Sequence, residues 1–272
     1  MSERAPLHVR GEILASKRVG AYRLVTVAAK GIPERTRPGT FVALSVPEPA
    51  LARRALWVYR VKPTGGYGPT LELLVEPRGA GTRWLAQATP GTPIEVTGPL
   101  GRAWALPKEP APALLVGEGY AAASLFALAE RLRERECPVT MLLAGADEAH
   151  LVSALEARRA ARSVTVVTGD GSIGRKGDVA SVVEETIRAA GPAIVYAAGP
   201  PRTLAAVAAA AEEAGAWSQV AVETPTPCAT GLCHGCGVPV LGEDGIARVV
   251  RGCTEGPVFR GDRVRWSELD HE

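Results

Sequence analysis

Four cysteines near the C-terminal end constrain what this chain can fold into more than any other feature. Cys228, Cys233 and Cys236 have the spacing C-x4-C-x2-C, and Cys253 follows after sixteen intervening residues. Four thiolates with this plant-type spacing bind the two irons of a [2Fe–2S] cluster. The same loop carries Gly231, Gly235 and Gly237. Glycine lets a tight loop wrap a metal and bring backbone N–H groups toward sulfur. The four cysteines are therefore predicted metal ligands.

Structural zinc is the alternative metal for this loop. Zinc sites usually combine two C-x2-C or Cys/His pairs, whereas only Cys233 and Cys236 form such a pair here. His234 lies between them and could replace a cysteine as in Rieske-type sites, but those sites use two histidines and this loop has one. The pattern favours [2Fe–2S] over zinc. Cys137, which is alone after a predicted helix, is interpreted as a bystander.

Length and composition narrow the class of protein. The chain has 272 residues, of which 46% are apolar, so two or three compact units can each bury a core. The net charge is +2 without a basic run, which argues against a nucleic-acid partner. No apolar stretch approaches the ~20 residues of a membrane span, and residues 1–10 lack the apolar centre of a signal peptide. A cytoplasmic location is expected, and clustered cysteines in a reducing compartment favour metal over disulfides.

The pattern of apolar runs predicts a β plus α/β architecture in three domains. Residues 1–106 alternate short apolar runs with turn signals, which is typical of an antiparallel β-barrel. Residues 107–221 alternate apolar strands with amphipathic helices, including helices near 122–136 and 202–214, which indicates a parallel α/β domain. Residues 222–272 are rich in Gly, Pro and Cys and are too few to fold without a stabilising cross-link such as a bound metal. The predicted barrel strands are 21–27, 39–46, 56–61, 70–75 and 93–96.

This order of barrel, α/β domain and cysteine loop resembles the electron-transfer subunits of class B dihydroorotate dehydrogenases, which belong to the ferredoxin-reductase-like flavoproteins. The resemblance covers essentially the whole chain, and Cys253-Thr-Glu-Gly-Pro-Val-Phe is its most specific segment. The other segments that carry it are Pro38-Gly-Thr-Phe-Val, Arg53-Arg54, Gly79-Ala-Gly-Thr-Arg-Trp-Leu, Gly98-Pro-Leu-Gly, residues 168–177 and Gly199-Pro200.

The resemblance implies that the barrel binds FAD. The family's Arg-Pro-x-Ser segment falls on Arg54, Ala55, Leu56 and Trp57. Its aromatic-Arg pair, with the residue before it, falls on Leu74, Val75 and Glu76. Its Gly-Thr pair falls on Gly81 and Thr82. An arginine can pair with pyrophosphate oxygens, and a helix that begins at the Gly-Thr pair offers free N–H groups to phosphate. Trp57 replaces the family's serine, and Glu76 replaces an arginine expected to face phosphate.

The resemblance also implies a site for NAD(H). The family's Gly-rich loop falls on residues 114–125, where Gly117 and Gly119 are kept while Tyr120 and Ser124 depart from the pattern. Glycines between a strand and a helix admit a pyrophosphate at the helix N-terminus. Ala198 stands where the family has a cysteine before Gly-Pro.

By resemblance, electrons would pass from NADH to FAD, then through the cluster to an FMN-containing catalytic subunit that oxidises dihydroorotate in pyrimidine synthesis. The subunits would form a hetero-oligomer such as a heterotetramer. No residue here is predicted to be catalytic, because substrate chemistry would lie in the partner. The departures from the family pattern support a second hypothesis, in which the flavin or nucleotide site is lost and the chain serves as an iron–sulfur bridge or docking subunit of another redox complex.

Overall fold

Six antiparallel strands close into a barrel in the N-terminal part of the chain, as predicted. The computed structural model describes residues 5–47, 52–63, 66 and 68–269, so the outer ends of the first and last predicted domains lie outside the described residues. Around the barrel the strands follow the order β1-β2-β5-β4-β3-β6. They are β1 (Leu7–Val19), β2 (Tyr22–Ala28), β3 (Phe41–Ser45), β4 (Arg54–Lys62), β5 (Thr70–Val75) and β6 (Thr92–Leu100).

One helix, α1 (Ala80–Gln87), connects β5 to β6. It begins earlier than the sequence suggested, because Gly79 is its N-cap residue and donates its backbone N–H to the Thr82 hydroxyl. Inside the barrel, alternate side chains of the strands form an apolar core that includes Val25, Val42 and Leu73. This alternation is the physical reason for the barrel, since each strand buries only one face.

The next part of the chain is a parallel sheet with helices on both faces. Its strands are β7 (Ala113–Glu118), β8 (Val139–Gly145), β9 (Ser163–Thr168), β10 (Arg175–Lys176), β11 (Ile194–Ala198) and β12 (Trp217–Ala221). Its helices are α2 (Ala123–Glu134), α3 (Ala154–Ala160), α4 (Val183–Ala190) and α5 (Pro201–Glu213). The order β10-β9-β8-β7-β11-β12 reverses direction between β7 and β11. Ligands of open α/β sheets bind at such a switch point, beyond the carboxyl ends of the strands.

The C-terminal part forms a hairpin and then joins the sheet. The hairpin consists of β13 (Gly237–Leu241) and β14 (Ala247–Arg251), and the single turn α6 (Gly252–Glu255) follows it. Strand β15 (Val258–Arg260) then pairs antiparallel with β12. Val238 and Val264 belong to the same apolar core as Leu114 of β7. The predicted limits at 106/107 and 221/222 stay predictions, but the last segment shares a core with the sheet.

The barrel packs directly on the α/β sheet through β4 and α2. Tyr59 and Phe126 meet edge to face with ring centroids 5.3 Å apart. Beside them, Arg60 forms ion pairs with Glu156 at 2.9 Å and with Glu130 at 3.7 Å. Apolar contact and ion pairing thus hold the barrel and the α/β domain together. Across the described ranges, none of the helices combines the length and the apolar character needed to cross a membrane.

Candidate functional site

The four predicted metal ligands lie in one loop region around α6. The Sγ atoms of Cys236 and Cys253 are 3.3 Å apart, and both residues are buried. Cys228 is partly buried, and its sulfur accepts backbone N–H groups of Thr230 and Cys233, each at 3.4 Å. The sulfur of exposed Cys233 accepts the N–H of Gly235 at 3.4 Å. All five cysteines of the chain are free thiols, so no disulfide competes with metal binding.

The two halves of this cysteine set differ in their electrostatics. Burial alone would raise the pKa of the Cys228 thiol, but the N–H groups of Thr230 and Cys233 lower it to about 6. Burial, and then the contact with Cys236, raise the pKa of Cys253 to about 12. Cys228 is therefore ready to bind metal as a thiolate, whereas Cys253 needs the positive charge of a metal to lose its proton.

The contacts between the cysteines can be compared with the needs of a two-iron cluster. The Sγ atoms of Cys236 and Cys253 are in contact, and the backbone N–H of Cys233 donates to the sulfur of Cys228. Within the described ranges, no three or more His, Cys, Asp or Glu side chains converge around one ion position. Two pairs of thiolates are what the two irons of a [2Fe–2S] cluster require. His234 is exposed and belongs to neither pair.

A cavity of about 100 Å³ lies between the barrel and the cysteine loop. Ala55, Leu56 and Trp57 of β4 line one side, and Tyr120 lines another. Cys253 itself forms part of the wall, so a planar ligand in this cavity would lie beside a cluster ligand. The lining is completed by Phe41, Val222, Glu223, Thr224, Thr226, Gly252 and Pro257. The predicted residues Ala55, Leu56 and Trp57 are thus brought to the cavity.

A carboxyl group organises the aromatic side chains of this cavity. Glu223, which follows β12, accepts the indole N–H of Trp57 through one oxygen and the hydroxyl hydrogen of Tyr120 through the other. Burial raises the pKa of the Glu223 carboxyl, and the two hydrogen bonds act against that rise. The guanidinium of Arg78 lies 5.1 Å from the centre of the Tyr120 ring. Nothing in the sequence around Glu223 pointed to this role.

Arg54 and Gly81 are brought into direct contact, as a pyrophosphate cradle requires. A Cβ added to Gly81 would lie 2.1 Å from Nε of Arg54, so only glycine lets this guanidinium rest on the first turn of α1. The first turn of a helix has free N–H groups and the positive end of the helix dipole. An arginine beside such a turn fits a pyrophosphate group. Thr82 caps the same turn through its hydroxyl.

Three of the residues predicted at the flavin site lie at the end of β5. Glu76 replaces the arginine expected to face phosphate, and Arg78 forms an ion pair with it at 2.6 Å, so a positive charge lies two residues downstream of the expected position. The side chain of Val75 is buried in the barrel core. Leu74, on the opposite face of β5, packs in the apolar cluster that contains Trp57. Of these three positions, Leu74 and Glu76 border the interface between barrel and sheet.

A second and larger cavity, of about 450 Å³, lies at the switch point of the sheet. Gly119, with φ +61°, lines it at the end of β7. Gly117 instead has a packing role, because a Cβ there would lie 2.6 Å from the Cβ of Ala122. Glu118 lines the same cavity. Its carboxylate accepts a hydrogen bond from the Thr203 hydroxyl and forms an ion pair with Arg202 at 3.1 Å. The remaining lining includes Tyr22, Glu76, Arg78, Tyr120, Gly145, His150, Gly199, Pro200 and Glu223.

The other two departures from the nucleotide pattern are structural in this chain. Ser124 is buried, and its hydroxyl donates to the carbonyl of Ala121 at 2.9 Å, which closes the turn before α2. Ala198 is buried at the end of β11. The N-terminus of α5 follows immediately and faces the crevice through Pro200 and Arg202. The crevice thus keeps a helix N-terminus and an arginine, although the arginine is engaged by Glu118.

Comparison with known proteins agrees with this geometry. Residues 225–265 match the family model described as the iron-sulfur cluster binding domain of dihydroorotate dehydrogenase B. The electron transfer subunit of dihydroorotate dehydrogenase B (NAD(+)) of Geobacillus kaustophilus is 33% identical over 257 residues, which cover 92% of this chain and 96% of that protein. The subunit of the same name from Desulforamulus reducens is 30% identical, covering 84% of this chain and 87% of that protein.

Solved structures show the same fold. A chain of an NADH-dependent reduced ferredoxin-NADP oxidoreductase superposes with a TM-score of 0.82 at 27% identity, covering 95% of this chain and 91% of that chain. The ferredoxin reductase of carbazole 1,9a-dioxygenase, at 20% identity and a TM-score of 0.66, shares the fold over 78% of this chain. Barrel, switch-point crevice and paired cysteines together define a ferredoxin-reductase-like protein with an added iron–sulfur domain. More narrowly, the chain belongs to the family of dihydroorotate dehydrogenase B electron transfer subunits.

Proposed function

We propose that this chain is the electron-transfer subunit of a dihydroorotate dehydrogenase, taking electrons from NADH through FAD and the [2Fe–2S] cluster to a catalytic partner. One observation carries the proposal: the cavity that borders Trp57 also has the cluster ligand Cys253 in its wall. When bound, a flavin links two-electron hydride chemistry to the single-electron steps of an iron–sulfur cluster. The residues of this chain hold both groups and exclude water between them.

The FAD part of the proposal is supported by the contact of Arg54 with Gly81. That contact places a guanidinium and the first turn of α1 on one spot, which is the chemistry that a pyrophosphate needs. The cavity beside Trp57 then receives the ring system at the other end of the same ligand. Family membership gives the same assignment, since the chain covers 96% of its Geobacillus kaustophilus relative.

The NADH part of the proposal places the nucleotide in the switch-point crevice. This crevice borders Tyr120, as does the flavin cavity, so a nicotinamide there would lie close to the flavin. The helix N-terminus of α5 and Arg202 supply positive charge for phosphate. Glu118 weakens this charge by pairing with Arg202, so we expect it to lower the affinity for NADH.

The partner is proposed to dock around the exposed end of the cysteine loop. Leu232 is 82% exposed beside Cys233, and Val249 is 72% exposed on β14. Exposed apolar side chains around a redox centre are typical of a surface that another subunit covers. We propose that this surface binds the FMN-containing catalytic subunit in a hetero-oligomer, and that the complex works in the cytoplasm.

A second function is favoured by Glu118, whose carboxylate lies in the crevice and pairs with Arg202. If that carboxylate prevents NADH binding, the chain is an iron–sulfur bridge that takes electrons from another donor. Purification without oxygen, followed by an absorbance spectrum before and after NADH, separates the two. A flavin absorbance band that NADH bleaches, together with an electron paramagnetic resonance signal of the reduced cluster, supports the reductase. A brown protein without flavin bands contradicts it.

The partner assignment has its own test. Co-expression with the catalytic subunit from the same genome should give a complex that reduces NAD⁺ with dihydroorotate, whereas the catalytic subunit alone should not. A complex that forms but gives no NAD⁺ reduction, while its flavin and cluster are loaded, would instead support the bridging function.

A further inference from the structure

Glu223 lies where the barrel, the α/β sheet and the connection to the cysteine loop meet. It stands two residues after the end of β12 and begins the connection that leads to Cys228. It lines the flavin cavity and also the switch-point crevice, and Tyr120 is the other residue found in both linings. A side chain in this position can affect either ligand without belonging to the ligand-binding segments known from the sequence pattern.

The two oxygens of Glu223 each hold a different aromatic residue. Oε1 accepts the indole N–H of Trp57, which belongs to the barrel strand β4. Oε2 accepts the hydroxyl hydrogen of Tyr120, which follows the sheet strand β7. An indole N–H and a phenol O–H in a buried place each need an acceptor, so both rings are fixed in orientation by this carboxyl group.

The aromatic rings are the parts of the cavity that can face a planar ligand. Trp57 is 5% exposed and contacts Phe41 edge to face with centroids 6.5 Å apart, so its indole has little freedom to turn once its N–H is bound. Tyr120 is held on its other side by Arg78, whose guanidinium carbon is 5.1 Å from the ring centre. Rings that are fixed before a ligand arrives lower the entropy cost of binding it.

We propose that Glu223 is a positioning residue for the flavin, which holds Trp57 and Tyr120 as the two aromatic walls that receive the isoalloxazine ring. This inference rests on the proposed function, because it takes FAD as the ligand of the cavity. It adds a residue that neither the cysteine pattern nor the flavin segments contain. It also explains how Trp57 can be accommodated where the family has a serine, because its indole N–H donates a hydrogen bond to Glu223 and the ring is held in the wall of the cavity.

The test uses the full chain with its cluster loaded and its flavin removed. FAD is added while its fluorescence is followed, and the visible circular dichroism of the bound flavin is recorded as a signature of ring environment. Glu223→Leu removes both hydrogen bonds, so we expect FAD to bind about tenfold to a hundredfold more weakly, with a changed dichroism band. Glu223→Gln should bind within about threefold of wild type, because its amide oxygen can accept from Trp57 and its NH₂ can donate to Tyr120.

Tyr120→Phe gives a second test that disturbs the core less. It removes one of the two hydrogen bonds and keeps the ring, so we expect about a threefold to tenfold loss of FAD affinity. The iron–sulfur absorbance serves as the control for folding in each variant. If Glu223→Leu also loses that absorbance, Tyr120→Phe decides the question.

Wild-type affinity and an unchanged dichroism band in Glu223→Leu, or in Tyr120→Phe when Glu223→Leu does not fold, would overturn the inference alone. Failure of the wild-type chain to bind FAD would overturn the proposed reductase function and the inference with it. Loss of affinity in Glu223→Leu, its retention in Glu223→Gln and a smaller loss in Tyr120→Phe would support the inference, because Tyr120→Phe removes a hydrogen bond to Glu223 while it keeps the packing of the ring.

Discussion

The guanidinium of Arg54 lies against Gly81, at the point where a side chain on residue 81 would otherwise stand. A Cβ at that position would be 2.1 Å from Nε and 2.6 Å from Cζ of Arg54. Arg54 belongs to β4 and Gly81 to α1, so the contact joins two elements that are separate in sequence. The proposed pyrophosphate site depends on this contact.

Gly81→Ala should therefore weaken FAD binding while the cluster is retained. The new methyl group must displace Arg54 from the first turn of α1, and the loss of one charge-assisted contact costs about 1.5–3 kcal/mol, or about a tenfold to hundredfold rise in Kd. Fluorescence titration with FAD measures this change. Gly79→Ala is the matched control, since a Cβ there meets no atom within 4 Å. Equal affinities for the two variants would contradict the cradle.

The cysteine assignment makes a second prediction. Cys233→Ala should abolish the visible iron–sulfur absorbance, because one iron would lose a thiolate of the pair formed with Cys228. Hydrogen exchange in residues 222–269 should become faster, since metal binding supplies much of the stability of a small loop-rich segment. Cys137→Ala is the control, because Cys137 is buried away from the loop. Unchanged iron content in Cys233→Ala would show that the ligand set is wrong.

Much of the fold could be predicted from the periodicity of apolar residues, and the strands that were missed have physical reasons. The alternating runs predicted five of the barrel strands, but β1 was missed because Ile13 is its one fully buried residue, so it shows no clear apolar alternation. Strand β12 was missed because Ser218 and Gln219 are buried polar residues within it. Strand β15 has three residues and depends on pairing with β12. Elements that are defined by tertiary contacts leave weak local patterns.

The candidate site also has residues that the sequence predicts and residues that it does not. The cysteines were predictable because one short loop carries three of them and the spacing itself reflects the cluster. The role of Glu223 was not predictable, since its partner Trp57 is 166 residues away in the chain. Arg78 was also missed, because its ion pair with Glu76 places the positive charge two residues later than the family pattern. Residue spacing reports local ligands but not groups assembled by folding.

The crevice at the switch point gives a third prediction. Glu118→Gln removes the negative charge that engages Arg202 at 3.1 Å, so this guanidinium becomes available to a phosphate. Arg202 is well exposed, which limits the gain to about 1 kcal/mol, or about fivefold tighter NADH binding. Glu185→Gln, which breaks a similar pair with Arg175 outside the crevice, is the control. NADH affinity that is equal in both variants and in wild type would argue against nucleotide binding at this place.

The docking surface gives a fourth prediction. Leu232→Ser combined with Val249→Ser should weaken assembly with the catalytic subunit by about 2–3 kcal/mol, since each exposed apolar side chain is proposed to be buried in the complex. The change is measured as the dissociation constant of the two purified subunits. Leu155→Ser is the control, because Leu155 is 63% exposed on α3 and distant in sequence from the cysteine loop. Assembly that Leu155→Ser weakens as much as the double variant would place the interface elsewhere.

The raised pKa of Glu223 gives the last prediction, which concerns stability and pH. Burial favours the protonated carboxyl in the folded chain, so the folded pKa lies above the ordinary value of 4.5. A group with a raised folded pKa contributes stability that is complete below its unfolded pKa and is lost as the pH rises through the folded value. Starting from about pH 4.5, the flavin-free wild-type chain should therefore lose stability with rising pH by up to about 1.4 kcal/mol per pH unit, until the folded pKa is passed. Glu223→Gln cannot ionise, so its free energy of unfolding should lack this decline. Urea unfolding of both chains across this pH range measures the difference, and parallel curves would show that Glu223 ionises in the folded chain as it does in water.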